Sequence, residues 1–216
     1  VSIADVFSEN FTPRVIKNFE LEYGDLRKIK PDIIMVSSTG YGFYGPWSNF
    51  GATGPATEGA AGLAYQTGYL GGGPVMAEIP YTDYTSGEHT VFAVMAALMH
   101  RLRTGQGQFV DISQTQATSS TIPEVLMDFS ANGRSGQRFG NQDTVMSPHG
   151  CYPCRGDDRW ITIAVATDEE WQAVCRVLGQ NGWAADPRFN DSFSRWKNRD
   201  ELDALIGTVT STWDAH

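Results

Sequence analysis

The segment from Pro80 to Ser113 limits most strongly what this chain can fold into. It places Asp83 shortly before Val91 to Leu102, which is apolar nearly all round and therefore predicts a buried helix. Basic residues and then Gly105 close this helix, and Gln108 to Ile112 predicts a strand directly after it. Asp83 is thus predicted at or near the amino end of the helix, where unpaired backbone amides and the helix dipole favour an ionised carboxylate.

Strand and helix patterns alternate in the residues before this segment. Thr12 and Pro13 suit the start of one helix, and Gly24 to Lys30 predicts another that Pro31 ends. The continuous apolar run from Asp32 to Ser37 is typical of a strand buried in a parallel sheet. This alternation predicts an α/β fold.

A glycine-rich stretch follows that strand, with 11 of the 23 glycines between Gly40 and Gly73. Open α/β sheets bind ligands beyond the carboxyl ends of their strands, and glycines there expose backbone amides to a ligand. The alternative is a set of tight turns between short helices, such as one over 56–64, and spacing alone does not decide between them. Gly40-x-Gly42 is not a dinucleotide fingerprint because no third glycine follows at the required spacing.

The chain is predicted to contain two domains. The larger one covers 1–129 and ends with a helix from Gln114 to Phe129, while the polar, glycine-bearing residues 130–146 form a linker. The smaller domain covers 147–216 and mixes strands with helices. Its predicted elements are strands over 150–154 and 160–165 and a helix from Thr167 to Leu178.

The chain contains three cysteines, Cys151, Cys154 and Cys175. An odd number of cysteines in a chain of this size does not indicate a disulfide framework. Cys151 and Cys154 form a C-x-x-C pattern near His149, so a metal or redox site is one alternative. No second ligand pair accompanies them, and the residues around them alternate as in a strand. We interpret both as strand cysteines and predict no metal site.

Charge and hydropathy exclude several classes of partner. The formal net charge of -9 disfavours nucleic acid, whose phosphates require a basic surface. No apolar run reaches the length of a membrane span, and the first residues lack the pattern of a signal peptide. A cytoplasmic protein with no membrane or nucleic-acid partner is therefore expected, and an anionic ligand would need local binding groups.

Short motifs along the chain occur in the order found in one known family. They are Glu9–Pro13, Ser37–Gly42 with Gly45–Pro46, Ala60–Leu63, Asp83–Gly87, Arg103–Ser113, Asp186–Phe189 and Arg199–Leu202. Together they resemble the class III CoA-transferase family, which includes formyl-CoA transferase, carnitine CoA-transferase and the α-methylacyl-CoA racemases. Each motif is weak alone, and their shared order carries the resemblance.

This resemblance implies a Rossmann-like large domain followed by a small α+β domain. It covers nearly the whole chain but only the middle of a full family member, so an internal fragment with an incomplete large domain is expected. The fragment alone is expected to be inactive, whereas the intact protein is expected to be a homodimer.

The resemblance also implies the chemistry. Asp83 matches the aspartate that attacks the thioester carbonyl of an acyl-CoA, giving a mixed anhydride and CoA thiolate. From this residue alone, a capping aspartate without chemistry would be the preferred interpretation. No tightly bound cofactor is implied, since CoA and acyl-CoA are substrates and a carboxylic acid is the acceptor.

The CoA contacts are likewise implied by the resemblance. They match Asn10, Phe11, Thr12, Asn18, Thr39, Gly40, Tyr41 and Gly42. Asn18 and Thr39 replace basic residues of formyl-CoA transferases, so fewer charges are available for the phosphates. Arg14 and Lys17 could substitute for them or could simply form a solvated helix face. The four-glycine loop of formyl-CoA transferases is also missing, which argues against an oxalate-specific enzyme.

The function expected from the resemblance is acyl-CoA:carboxylate CoA transfer through an aspartyl anhydride and thioester. A 2-methylacyl-CoA racemase is one alternative, but the racemases supply a histidine in the segment that matches 52–55, and Thr53 cannot act as that acid or base. A non-catalytic CoA-binding portion of a larger protein is the other alternative.

Overall fold

The computed structural model describes residues 1–215, which form two compact units. The first unit ends at Arg138, and the second begins at Phe139, inside the predicted linker. The predicted domain limits, 1–129 and 147–216, stay predictions. The elements of the first unit are β1 (Val6–Glu9), α1 (Pro13–Asn18), α2 (Tyr23–Ile29), β2 (Ile34–Thr39), α3 (Gly54–Ala61), α4 (Leu63–Gln66), α5 (Tyr81–Thr104), β3 (Phe109–Ser113), α6 (Gln114–Ser119) and α7 (Pro123–Asn132).

A three-stranded parallel sheet in the order β1-β2-β3 forms the centre of the first unit. Alternate residues of β2 point to opposite faces, and both faces are covered. Met35 packs with Ile16 and Leu26 on one side, whereas Val36 packs with Ala97 of α5 on the other. The predicted α/β class is confirmed, because helices on both faces of a parallel sheet define it.

Helix α5 begins as predicted, but the prediction that it is buried on all sides is wrong. Only the side that carries Ala97 packs against the sheet, and Ala97 is 2% exposed. Val91, Phe92 and Leu102 are 65%, 78% and 81% exposed. Apolar composition all round a helix predicts burial only where another element covers each face, and within residues 1–215 no element covers Val91, Phe92 or Leu102.

The single helix predicted from Gln114 to Phe129 is also wrong, since the chain forms α6 and α7 with a break at residues 120–122. Pro123 is the first residue of α7 and has no backbone N–H to continue the earlier helix. Its ring also disfavours helical geometry at the preceding residue, and Ile122 adopts φ -126° and ψ 49°.

The second unit pairs a β-hairpin with several helices, in agreement with the predicted α+β composition. Thr167 and Glu170 form a capping box at the start of the helix that follows the hairpin, and this box fixes where that helix begins. The elements are β4 (His149–Pro153), β5 (Trp160–Ala164), α8 (Asp168–Val177), a 3-10 helix (Asn181–Ala185), α9 (Ser192–Lys197) and α10 (Arg199–Thr210). Strands β4 and β5 are antiparallel.

All three cysteines belong to the second unit and are free thiols. Cys151 lies within β4, Cys154 follows it, and Nδ1 of nearby His149 lies 2.6 Å from the carbonyl oxygen of Asn141. Residues 1–215 contain no group of three or more His, Cys, Asp or Glu side chains placed to hold a metal ion. No helix within that part of the chain combines the length and hydropathy that a membrane span needs.

Candidate functional site

A polar cavity of about 170 Å³ lies at the carboxyl ends of β1 and β2 in the first unit. Four segments build it: the residues after β1, the glycine-rich stretch after β2, the first turn of α5 and the start of α6. Its walls are mostly hydroxyls, amides and backbone. The lining residues are Asn10, Thr12, Ser38, Thr39, Gly40, Tyr41, Ser48, Phe50, Ala52, Thr53, Gly54, Asp83 and Gln114.

Asp83 lies in the first turn of α5, so its carboxylate stands at the amino end of the helix, where the helix dipole favours a negative charge. Two buried threonines in the first two turns of the helix fix this position. Thr82 bonds the hydroxyl of Thr57 in α3 at 2.8 Å, and Thr85 bonds the hydroxyl of Thr118 in α6 at 2.9 Å. The start of α5 is therefore tied to both neighbouring helices.

Gln114 is the direct neighbour of the Asp83 carboxylate. Its Nε2–H donates a hydrogen bond of 2.7 Å to Oδ1 of Asp83. Thr115, the next residue, donates from both its backbone N–H and its hydroxyl to the carbonyl oxygen of Gly40, at 3.0 and 2.8 Å. The start of α6 is thus fixed against the cavity wall, and with it the backbone that carries Gln114.

Two glycines shape the loop beyond β2. A Cβ atom at Gly40 would lie 2.2 Å from Cβ of Ala52, closer than any side chain tolerates, so only glycine lets these two cavity-lining segments meet. Gly42 has φ +87°, a left-handed conformation that favours glycine. These positions explain why the stretch is rich in glycine at this point.

The cavity brings together six of the nine residues predicted for the site. The six are Asn10, Thr12, Thr39, Gly40, Tyr41 and Asp83. Phe11, Asn18 and Gly42 do not line it: Phe11 is 53% exposed, Asn18 is exposed at the end of α1, and Gly42 is buried behind the wall. The roles of all nine residues stay predictions.

A single charged side chain sets the formal charge of the cavity wall. Asp83 alone carries a formal charge among the described residues that line it, while Arg14 and Lys17 lie outside. Thr39 is 4% exposed, and its hydroxyl has no hydrogen-bond partner within residues 1–215. No basic side chain is among the described residues that line the cavity, and the expected shortage of charges for the CoA phosphates stays a prediction.

Two further carboxyls lie on the sheet beside the cavity. Glu9 of β1 and Asp111 of β3 flank Ser37 of β2 in the same register row. Burial raises the pKa of the Glu9 carboxyl, against the opposing effect of a hydrogen bond from the backbone N–H of Phe11, and burial also raises the pKa of Asp111. Asp111 accepts a 2.8 Å bond from the backbone N–H of Phe43, so it anchors the glycine-rich loop.

Sequence reasoning missed several lining residues, of which Gln114 matters most. It follows β3 directly, and the carboxyl ends of parallel strands meet at one edge of a sheet. That rule could have placed Gln114 near the ligand edge from sequence alone. Its bond to Asp83 could not have been predicted, because it joins residues 31 positions apart through side-chain geometry.

Comparisons with known proteins identify the family to which the chain belongs. A family model described as CoA-transferase family III matches residues 1–216. The chain is 31% identical over 214 residues to a succinate–glutarate CoA-transferase of Agrobacterium fabrum and 32% identical over 209 residues to an acetyl-CoA:oxalate CoA-transferase of Acetobacter aceti. These matches cover 99% and 96% of the chain.

A solved structure shares the fold along nearly the whole chain. The crystal structure of a CAIB/BAIF family protein from Brucella suis matches with a TM-score of 0.90 and 30% identity, and it covers 99% of this chain and 56% of that one. The chain spans 53% of the length of each of the two curated relatives. It therefore corresponds to about half of each of these three proteins.

Proposed function

This chain belongs to CoA-transferase family III, and we propose that the whole protein transfers CoA from an acyl-CoA to a carboxylic acid. The observation that carries the proposal is the Asp83 carboxylate, which lies in the first turn of α5 and lines a polar cavity at the carboxyl edge of the sheet. A carboxylate can act as a nucleophile without a separate base, and this one is the only charged group among the described lining residues.

The first step acylates Asp83. An oxygen of its carboxylate attacks the thioester carbonyl, the carbon–sulfur bond breaks, and CoA leaves as the thiolate. The product is a mixed anhydride between Asp83 and the acyl group. Backbone amides of the glycine-rich wall are suited to stabilise the tetrahedral oxyanion on the acyl carbon.

The second step passes CoA to Asp83. The thiolate attacks Cγ of Asp83, the bond from Cγ to the acyl oxygen breaks, and the acyl group leaves as a free carboxylate. Asp83 is now an aspartyl-CoA thioester. The acceptor carboxylate repeats both steps in reverse, which regenerates the free carboxylate of Asp83 and releases a new acyl-CoA.

For CoA itself, we assign binding to the residues at the carboxyl edge of the sheet. Asn10, Thr12 and Thr39 offer side-chain hydrogen-bond groups inside the cavity, and Tyr41 offers an aromatic ring at its wall. The CoA phosphates are then held outside the cavity, where Phe11 and Asn18 are exposed. Arg14 lies one helical turn before Asn18 on α1. The remaining two assignments, Gly40 and Gly42, act through their backbone.

The acyl group and the acceptor are proposed as short carboxylic acids. The names of the two curated relatives give succinate with glutarate and acetyl-CoA with oxalate as their substrates. A cavity of about 170 Å³ lined by hydroxyls suits groups of this size and polarity. No tightly bound cofactor is required, because CoA enters and leaves as a substrate.

Transfer is favoured over racemisation by the cavity wall. Proton exchange at the α-carbon needs a second acid or base opposite the aspartate. Thr53, at the position where racemases carry a histidine, lies in the wall and has no titratable group. Among the residues described as lining the cavity, histidine does not occur.

The quaternary state and compartment are proposals of the same kind. We expect a homodimer, as the resemblance implies, and a cytoplasmic location, as expected above from composition and hydropathy. The exposed apolar face of α5 with Val91, Phe92 and Leu102 supports burial in an assembly. Light scattering of the whole protein should give the mass of two chains.

The test is an exchange assay on the whole protein. Succinyl-CoA and acetyl-CoA serve as donors, glutarate and oxalate as acceptors, and new acyl-CoA is measured by chromatography. Asp83→Ala should abolish transfer, while Glu88→Ala, which removes an exposed carboxylate from the same helix, should leave it unchanged. Normal transfer by Asp83→Ala would exclude the mechanism, and exchange of the α-proton of a 2-methylacyl-CoA at comparable rates would favour a racemase.

A further inference from the structure

Gln114 contacts one specific oxygen of Asp83. Its Nε2–H donates to Oδ1 at 2.7 Å, and within residues 1–215 no hydrogen bond is made to Oδ2. Both side chains line the same cavity. The two oxygens of the carboxylate are therefore unequal before any substrate binds: Oδ2 is free to attack, and Oδ1 is held by an amide.

The proposed reaction makes two opposite demands on Asp83. In the first step the carboxylate is the nucleophile, and the negative charge develops on the oxygen of the substrate carbonyl. In the second step Asp83 is the electrophile, because CoA thiolate attacks its Cγ. The pair of electrons of the Cγ–Oδ1 double bond then moves onto Oδ1, which becomes the oxyanion.

We propose that Gln114 is the oxyanion donor for those steps in which Cγ of Asp83 is attacked. This inference rests on the proposed function and assigns a residue to its second half. The amide already donates to the atom on which the charge develops, so the bond strengthens when Oδ1 becomes an oxyanion. When the tetrahedral intermediate collapses and the acyl carboxylate leaves, Oδ1 returns to a carbonyl oxygen and keeps the same donor.

The surrounding bonds hold Gln114 in place before the reaction. Thr115 donates twice to the carbonyl of Gly40, and Thr118 bonds Thr85 of the Asp83 helix. Donor and acceptor are thus carried by two helices that are fixed to each other and to the cavity wall. A donor fixed in advance costs no reorganisation when the charge forms, and this is what makes oxyanion stabilisation effective.

The chemistry of the side chain suits the role. An amide donates without titrating, so it remains a donor over the whole working pH range. It also brings no positive charge, which would hold the carboxylate too firmly in its resting form and weaken it as a nucleophile. A lysine or arginine at this position would favour the resting carboxylate over both later intermediates.

Removing the donor should therefore affect the two steps differently. Loss of one oxyanion donor costs roughly 100-fold in rate. Gln114→Met keeps the length of the side chain and removes the donor, so attack on Cγ should slow about 100-fold. The rate of anhydride formation should change little, because the oxyanion of that step is the carbonyl oxygen of the substrate thioester and not Oδ1 of Asp83.

The experiment is a rapid-quench measurement on the whole protein in single turnover. The donors are succinyl-CoA and acetyl-CoA, each labelled in the acyl group, and no acceptor acid is added. Free thiol reports the first step, because CoA thiolate is released there. Free labelled carboxylate that appears together with CoA bound to the protein as a thioester reports the second, because both products require attack of the thiolate on Cγ.

Wild-type enzyme should release one labelled carboxylate per site with little free thiol. In Gln114→Met, free thiol should form at the wild-type rate, and labelled carboxylate should be released about 100-fold more slowly than in the wild type. Gln114→Leu, which also lacks a donor and brings no charge, should behave the same way. Gln116→Met changes an exposed glutamine two residues further on and should match wild type.

The outcomes separate the inference from the function on which it rests. If carboxylate release in Gln114→Met and Gln114→Leu keeps the wild-type rate, Gln114 is not the oxyanion donor. If thiol and carboxylate slow by the same factor, Gln114 only orients Asp83, and the inference is equally overturned. A wild-type protein that releases neither thiol nor carboxylate and shows no exchange contradicts the proposed function itself.

Discussion

Replacing Thr85 by valine should destabilise the protein more than replacing Thr118, although the two hydroxyls bond each other. Each hydroxyl has a single hydrogen to donate. The Thr85 hydroxyl lies 3.2 Å from the carbonyl oxygens of Tyr81 and Thr82 in its own helix and gives its hydrogen there. The hydroxyl of Thr118, 2.9 Å away, is therefore the donor of the bond between the two helices.

The expected costs follow from this direction. Thr118 is fully buried and Thr85 is 7% exposed, and valine nearly preserves the volume of threonine. Thr85→Val leaves the Thr118 hydrogen buried without an acceptor, which costs about 1–3 kcal/mol. Thr118→Val leaves Thr85 bonded to its own helix and costs about 0.5–1.5 kcal/mol. The double variant should cost less than the sum, because it leaves no buried donor unpaired.

Urea denaturation of the four proteins measures these free energies of unfolding. Thr90→Val is the matched control, since the Thr90 hydroxyl on the same helix is buried with no partner within residues 1–215, and its removal should cost nothing. Strictly additive costs, or a larger cost for Thr118→Val than for Thr85→Val, would refute the assigned direction of the bond.

Three further perturbations have defined outcomes. Gly40→Ala places a Cβ atom 2.2 Å from that of Ala52, so it should cost about 1–3 kcal/mol of stability and weaken CoA binding in calorimetry, whereas Gly59→Ala, with open space around it, should do neither. Arg195→Met removes a fully buried guanidinium that donates to two carbonyls and one carboxylate of the second unit, and thermal melting should show a loss of about 3 kcal/mol. Burial raises the pKa of the Glu9 carboxyl above 4.5, so its contribution to stability is present below that pH and is lost as pH rises through the raised pKa. Glu9→Gln should therefore increase the free energy of unfolding at pH 7 and flatten its decline with pH, and an unchanged pH profile would show that this carboxyl is not perturbed.

The sequence predicted those parts of the fold that depend on local pattern. The apolar run of β2 and the alternation of strands and helices around it identified a parallel sheet, since such patterns follow from burial on both faces. Asp83 was placed correctly in the first turn of α5 because the residues around it mark a helix start. Pro123 also carried a usable signal, as proline rarely continues a helix, and the predicted helix across it ignored that signal.

Other features depend on contacts that no local pattern contains. The apolar residues of α5 gave no information on which of them another element covers, and Phe92 is 78% exposed where burial was predicted. The bonds from Thr57 to Thr82 and from Gln114 to Asp83 join residues 25 and 31 positions apart. Each pairing follows from how three helices pack at one edge of the sheet, and that packing is visible only in three dimensions.

Covalent trapping at Asp83 tests the central claim most directly. The whole protein is incubated with succinyl-CoA, quenched with hydroxylamine and digested, and its peptides are examined by mass spectrometry. We expect a hydroxamate on the peptide that contains Asp83, dependent on the acyl-CoA, and no such modification at Glu88 of the same helix or in the Asp83→Ala variant. Efficient exchange by the wild-type protein with no trapped adduct, or with the adduct on another carboxylate, would contradict the account.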